Sequence, residues 1–145
     1  MLTLLLIEPL KAASSSRVIA VASNAHMFAD ALGFDQMKFD QFNKESYGYG
    51  WGQYGRSKLY NILFARELGK RLTGTGVTTY SLHPGAIPTE LQQNMSPWPV
   101  LQPVVSFGFK YLVWPITKDI RHGSQTTICA AVDPALAKES GKYYA

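Results

Sequence analysis

A tyrosine and a lysine lie four residues apart in "YGRSK", Tyr54 to Lys58, at the front of a helical run. On a helix that offset stacks the two side chains over one turn. A free phenol gives up its proton near pH 10, too high for exchange at neutrality, and a neighbouring ammonium favours the phenolate. A cation about 4 Å away at an effective dielectric of about 20 contributes about 4 kcal/mol, against about 1.4 kcal/mol for each pKa unit of lowering. One lysine, helped by the helix amino terminus, is enough to turn such a phenol into an acid and base. A serine hydroxyl aimed at the same spot would hold and polarise a carbonyl oxygen. Ser23, at the end of "VIAVAS", is the candidate.

The elements that must position these groups follow from the apolar pattern. "RVIAVAS" has the continuous small and β-branched residues Val18, Ile19, Ala20 and Val21 of a strand buried on both faces of a parallel sheet. Residues 53–72 place Leu59, Ile62, Leu63 and Leu68 at helical spacing, with Gly74 beyond as a stop. "VTTYSL" reads as a second strand that "HPG" breaks at once. Strand, helix and strand in that order form a βαβ unit, parallel and right-handed. Working residues then gather beyond the carboxyl ends of the strands, where Ser23 and Pro84-Gly85 lie together with the amino end of the helix. Elsewhere, Met1 to about Lys11 reads as the end of a helix and Asn24 to Gly52 as a long turn-like connection. "RHGSQTTICAAV" reads as a further helix and "GKYYA" as a short third strand. No internal repeat occurs.

Three motifs in this order, "VIAVAS", "YGRSK" as Y-x-x-x-K, and "VTTYSLHPGAIPTEL", resemble the short-chain dehydrogenases/reductases, in particular their retinol-dehydrogenase-like branch. The similarity runs from about Leu2 to Tyr144 and includes "SKLYNILFARELGKRL", "GTGV", "HPG" and "GSQT". The resemblance implies that Tyr54 is the proton donor, that Lys58 favours its ionised form, and that Ser23 orients the substrate carbonyl. Tyr54 and Lys58 would also hold the ribose of a nicotinamide cofactor, NADP or NAD, with NADP favoured by the resemblance. Pro84, Gly85, Ile87 and Thr89 match the segment beside the nicotinamide. The implied reaction is reversible hydride transfer with a carbonyl or alcohol, in which the cofactor carries the redox chemistry. The apolar stretch Met95 to Ile116 would be a substrate lid, which suggests a lipophilic substrate. The matching helix, residues 53–72, commonly forms the dimer face in the family, so a second chain is an implied partner.

The chain also departs from the family. Its phosphate-cradling T-G-x-x-x-G-x-G turn has no counterpart, nor has its catalytic asparagine. "GWGQYG", Gly50 to Gly55, satisfies G-x-G-x-x-G but follows no apolar strand and has no acidic residue about 20 positions on. The expected fold is therefore α/β, a partial Rossmann-type parallel sheet of about three strands in a single partial domain, 1–145. It would lack the amino-terminal half of the doubly wound arrangement. The first strand would then present an apolar edge to water. An isolated chain of this kind is expected to be marginally stable and to bind dinucleotide poorly. A truncated product acting only by packing its helix 53–72 on a partner is the alternative.

Composition excludes other classes. With 145 residues, 46% apolar and 17% charged, the chain reads as globular. Its net charge of +4 is scattered along the chain, which gives no nucleic-acid surface. The single Cys129 allows no internal disulfide and suits a reducing, intracellular compartment; its apolar run "TTICAAV" suggests a buried small thiol. His26 and His83 have no ligand-spaced partners, so no metal is expected. The sequon at Asn94 is followed by proline after its serine and lacks secretory context. "MLTLLLIEPLKAA" lacks the basic start of a signal peptide. Trp98 to Ile116 carries three prolines and Lys110, which suits a lid or contact with a membrane surface, such as the endoplasmic reticulum, better than a span.

Overall fold

A computed structural model describes residues 1–13, 15–30, 51–87 and 119–145. The amino-terminal residues form α1 (Leu2–Leu5) and α2 (Ile7–Ala12), where the sequence suggests one helix. Pro9 explains the break. It has no N–H to give the carbonyl of Leu5, and its ring would press on that carbonyl if the helix continued unbroken. The chain turns at Leu6, with φ −97° and ψ 1°, and restarts with Pro9 in the new first turn, where no N–H is missed.

The sheet has three parallel strands in the order β1 (Ser16–Val21), β2 (Val77–Leu82) and β3 (Lys142–Tyr144). Ser16 pairs with Val77 and Val21 with Leu82, while Tyr80 pairs with Lys142 and Leu82 with Tyr144. The partial Rossmann-type α/β arrangement expected from the sequence is thus present. One expectation about it is corrected. β1 is only partly buried along its length, with Val21 43% exposed, because among the described residues it pairs with β2 alone. The sheet edge read from the sequence is the outer side of this strand.

Beyond β1 the connection is less irregular than its composition suggests. A 3-10 turn, Asn24–His26, runs into the short helix α3 (Met27–Asp30), and α4 (Trp51–Arg71) begins two residues before the position read from the pattern. The remainder of that connection lies outside the described residues, as do the lid-like stretch 95–116 and Gly50 of the G-x-G-x-x-G match. Trp51 to Gly55 of that match are helical.

The core lies where α4 covers the sheet. Leu68 of α4 and Leu72 just beyond its end are buried with Val77 of β2, and Ile7, Leu10 and Val18 pack against them. Leu63 does not join this face: it is 39% exposed, and its neighbour Phe64 is 40% exposed. Thr79 in the middle of β2 is fully buried and donates its hydroxyl to the Ala65 carbonyl of α4 at 2.6 Å, so its polar atom is satisfied.

On the other side of the sheet, α5 (Ile120–Val132) starts at Asp119, whose carboxylate accepts from the His122 N–H at 2.6 Å. That bond, and then the His122 ring, hold the Asp119 carboxyl below its ordinary range. The helix ends on Arg17 of β1, whose guanidinium donates to the carbonyls of Ala130 and Asp133 at 2.9 and 2.7 Å. A cation there meets the orphan acceptors and the negative end of the helix dipole. Cys129 lies on the outer side of this helix and is exposed, contrary to the buried thiol expected. An apolar run on a helix includes positions that face water.

Candidate functional site

Parallel pairing puts the carboxyl ends of β1 and β2 at one end of the sheet. Val21 is in register with Leu82, so Ser23 and Pro84 each stand two residues past the last pair. The N–H of Ala22 donates to the Leu82 carbonyl at 2.7 Å and that of His83 to Tyr144 at 2.8 Å, which extends the ladder to the rim. Tyr54 occupies the first turn of α4, the helix that connects these two strands.

Tyr54 and Lys58 meet as their spacing implies. The ammonium of Lys58 lies over the Tyr54 ring, 5.4 Å from its centre, where the negative face of the ring attracts it. The same nitrogen donates to the Val21 carbonyl at 3.2 Å, two residues before Ser23. That carbonyl also accepts from the side chain of Asn61 at 3.0 Å. Lys58 and Asn61 lie three apart on one face of α4, so a single oxygen at the open edge of β1 ties the helix to the strand end.

Ser23 caps the 3-10 turn. Its backbone is extended, with φ −163° and ψ 152°, and its hydroxyl oxygen accepts from the Ala25 N–H at 3.2 Å. The Ser23 carbonyl accepts from the His26 N–H at 3.0 Å and from Nδ1 of its ring at 2.7 Å. With a lone pair so engaged, the hydroxyl proton is what Ser23 has to offer outward.

Gly55, next to Tyr54, brings the two segments together. A Cβ built on it would lie 2.5 Å from the Ala25 carbonyl oxygen, so the turn holding Ser23 rests directly on the backbone of the turn holding Tyr54. No other residue permits that approach. Glycine inside a helix costs up to about 1 kcal/mol relative to alanine, which is the sequence signal for such a contact.

The segment after β2 carries Pro84, Gly85 and Ile87. Gly85 has φ +93°, a backbone state that side chains disfavour, and it sets the direction in which the chain leaves the strand. Ile87 packs over Gly123 of α5. Thr89 lies outside the described residues.

Sequence reasoning did not find three further members. Asn24 follows Ser23 and accepts at its side-chain oxygen from the Tyr143 hydroxyl of β3 at 2.8 Å. The ring of His26 stands edge-on to that of Tyr143, with centres 5.2 Å apart. Nothing in the pattern of either segment marks a contact made across 119 positions. Among the described residues no group of three or more His, Cys, Asp or Glu could hold a metal ion, and no helix is long and apolar enough to cross a membrane.

Comparison with known proteins bears out the resemblance read from the motifs. Human retinol dehydrogenase 12 is 39% identical over 145 residues, which is 99% of this chain and 41% of that protein. Human retinol dehydrogenase 14 is 36% identical over 99% of this chain and 40% of its own length. The cattle (Bos taurus) dehydrogenase/reductase SDR family member 13 is 37% identical over all of this chain and 36% of its own. The chain therefore spans about two fifths of the length of the curated relatives it matches. No protein-family model matches it. Among solved structures, BdcA in complex with NADPH aligns with 88% of this chain and 43% of its own, at a TM-score of 0.46 and 15% identity.

Proposed function

We propose that this chain carries the substrate-facing part of an NAD(P)-dependent oxidoreductase that moves hydride to and from a lipophilic carbonyl or alcohol. The observation that supports it most is the Lys58 ammonium held between the Tyr54 ring and the end of β1, two residues from Ser23. A bound nicotinamide would supply the hydride. The donor set suits such a group: the Tyr54 hydroxyl and Lys58 ammonium are matched to a ribose diol, and Pro84, Gly85, Ile87 and Thr89 would line the nicotinamide side. NADP in preference to NAD is part of the proposal.

In the reducing direction, the Ser23 hydroxyl donates its proton toward the substrate carbonyl oxygen and holds it in place. Tyr54 then transfers its phenolic proton to that oxygen as it takes up charge. The phenolate left behind is stabilised by the nearby Lys58 ammonium. Lipophilic substrates are favoured by the retinol dehydrogenases among the relatives and by the apolar run 95–116, of which residues 98–116 are also proposed to touch an intracellular membrane surface.

The test is NADPH-dependent reduction of a long-chain aldehyde by the purified chain, with Tyr54→Phe expected to lower turnover by about a hundredfold or more. Turnover that survives this substitution, or none in the wild type, would sink the reading. A second reading rests on Leu63 and Phe64, which stand exposed on α4: a chain without catalysis that packs this helix on a partner. Co-purification with a longer homologue, without turnover, would support it.

A further inference from the structure

The turn after β1 is held from three directions, and only one of them concerns the proton carrier. Ala25 rests on Gly55 below Tyr54, and the Ser23 carbonyl is closed by both N–H groups of His26. The third hold comes from a strand that is not a neighbour of β1. Sheet order places β2 between β1 and β3, yet Tyr143 of β3 reaches Asn24 with a 2.8 Å bond from its hydroxyl. The His26 ring, edge-on at 5.2 Å, leaves the phenol packed on that side.

The chemistry of this bond is directional. A phenol donates to the side-chain oxygen of Asn24, which turns the carboxamide, and with it the backbone of residue 24, into one orientation. Burial pushes the Tyr143 hydroxyl above its ordinary range, so it remains a donor wherever the protein is folded near neutrality. Residue 24 lies between Ser23 and Ala25, whose N–H fixes the Ser23 hydroxyl oxygen at 3.2 Å. Rotation at residue 24 shifts the Ala25 N–H relative to the Ser23 hydroxyl and lets the hydroxyl swing. A long, weak bond of this kind is sensitive to small changes of angle.

We propose that Tyr143 and Asn24 are a positioning pair that sets the direction of the Ser23 hydroxyl, with the His26 ring as the packing surface that keeps the phenol in place. The proposal rests on the function given above in assigning Ser23 to the substrate oxygen. It goes beyond it in naming residues that touch neither substrate nor cofactor. β3 thereby becomes part of the site's framework, although its side chains lie far along the chain from both motifs.

The test has two arms on the 145-residue chain. Amide exchange is compared at Ala25, bonded to the Ser23 hydroxyl oxygen, and at Ala22, bonded to Leu82, in the wild type, Tyr143→Phe and Asn24→Ala. Loss of one neutral hydrogen bond should speed exchange at Ala25 by about fivefold and leave Ala22 unchanged. Unchanged exchange at Ala25, or an equal rise at both positions, would overturn the proposal. In the second arm, aldehyde reduction by Tyr143→Phe should show kcat reduced about fivefold with KM for NADPH and aldehyde within about twofold. Asn24→Asp, which keeps the acceptor, should stay within about twofold of the wild type. An unchanged kcat, or a change confined to KM, counts against it. If the wild type itself shows no turnover, the proposed function fails while the exchange arm alone decides the positioning pair.

Discussion

β1 and β2 are six-residue strands paired residue for residue, yet they live in different surroundings. β2 buries Val77, Thr79, Tyr80, Ser81 and Leu82, while no residue of β1 is fully buried and Val21 is 43% exposed. The difference comes from neighbours. Among the described residues β2 has a strand on each side, whereas β1 pairs with β2 alone, though α4 covers both. A run of β-branched residues says that a strand can be buried; the number of elements packed on it decides whether it is. The site bridges the two environments, with Ser23 and Lys58 at the open strand and Pro84 at the closed one.

The comparison is broken most directly by truncation. Leu82→Ala, at a position with no exposure, should cost about 2–5 kcal/mol in urea unfolding, while Val21→Ala on the paired position of β1 should cost less than about 1 kcal/mol. Equal losses would mean that the two strands are equally enclosed. Next comes Gly55→Ala. The added carbon meets the backbone of Ala25 and Ala29, so it should cost about 1–3 kcal/mol and reduce turnover by displacing the Ser23 turn from Tyr54. A neutral substitution would show that α4 and the turn do not rest on each other.

The partly buried strand β1 also anchors α5, through Arg17. Arg17→Met keeps the stem but removes both bonds to the end of α5, and a loss of about 1–2 kcal/mol is expected, with α5 fraying first in amide exchange. Exchange that rises evenly along the sheet instead would assign Arg17 to the strand rather than to the helix cap.

The smallest effect is on pH dependence. Burial, followed by the bond to Glu139 and its charge, pushes the Tyr144 hydroxyl up to about 12 from an ordinary 10.0. Between those values the unfolded chain releases this proton and the folded chain retains it. The contribution to stability is therefore complete below about pH 10, falls as the pH rises through the window, and is gone above about 12. Tyr144→Phe should flatten the alkaline slope of the unfolding midpoint. An unaltered slope would show that the rim of β3 is more open than its contacts with β2 suggest.

Much of this was open to sequence reading because it is local. The apposition of Tyr54 and Lys58 needs only a helix, since the offset of four residues does the rest. Both long strands, α4, α5 and the short β3 followed from apolar runs between turn signals. The break at Leu6 had a sequence signal in Pro9, which is favoured in a first turn and breaks or kinks a helix interior, but the apolar run masked it. Gly55 carried a signal of the same kind, a costly residue inside a good helix. The exposure of Cys129 and Leu63 was not readable, since helical spacing names a face without saying how much of it is covered.

What the chain of residues determined by itself is the apposition of Tyr54 and Lys58 and the helix that presents them, because it depends on contacts within one or two turns. What only the tertiary structure decided is where those groups meet the rest. One carbonyl of β1 gathers Lys58 and Asn61, a bare helix backbone receives Ala25, and a phenol 119 positions away holds Asn24. Contacts of that kind are chosen by packing, since each needs a particular atom brought within hydrogen-bond or van der Waals reach by elements that share no local pattern.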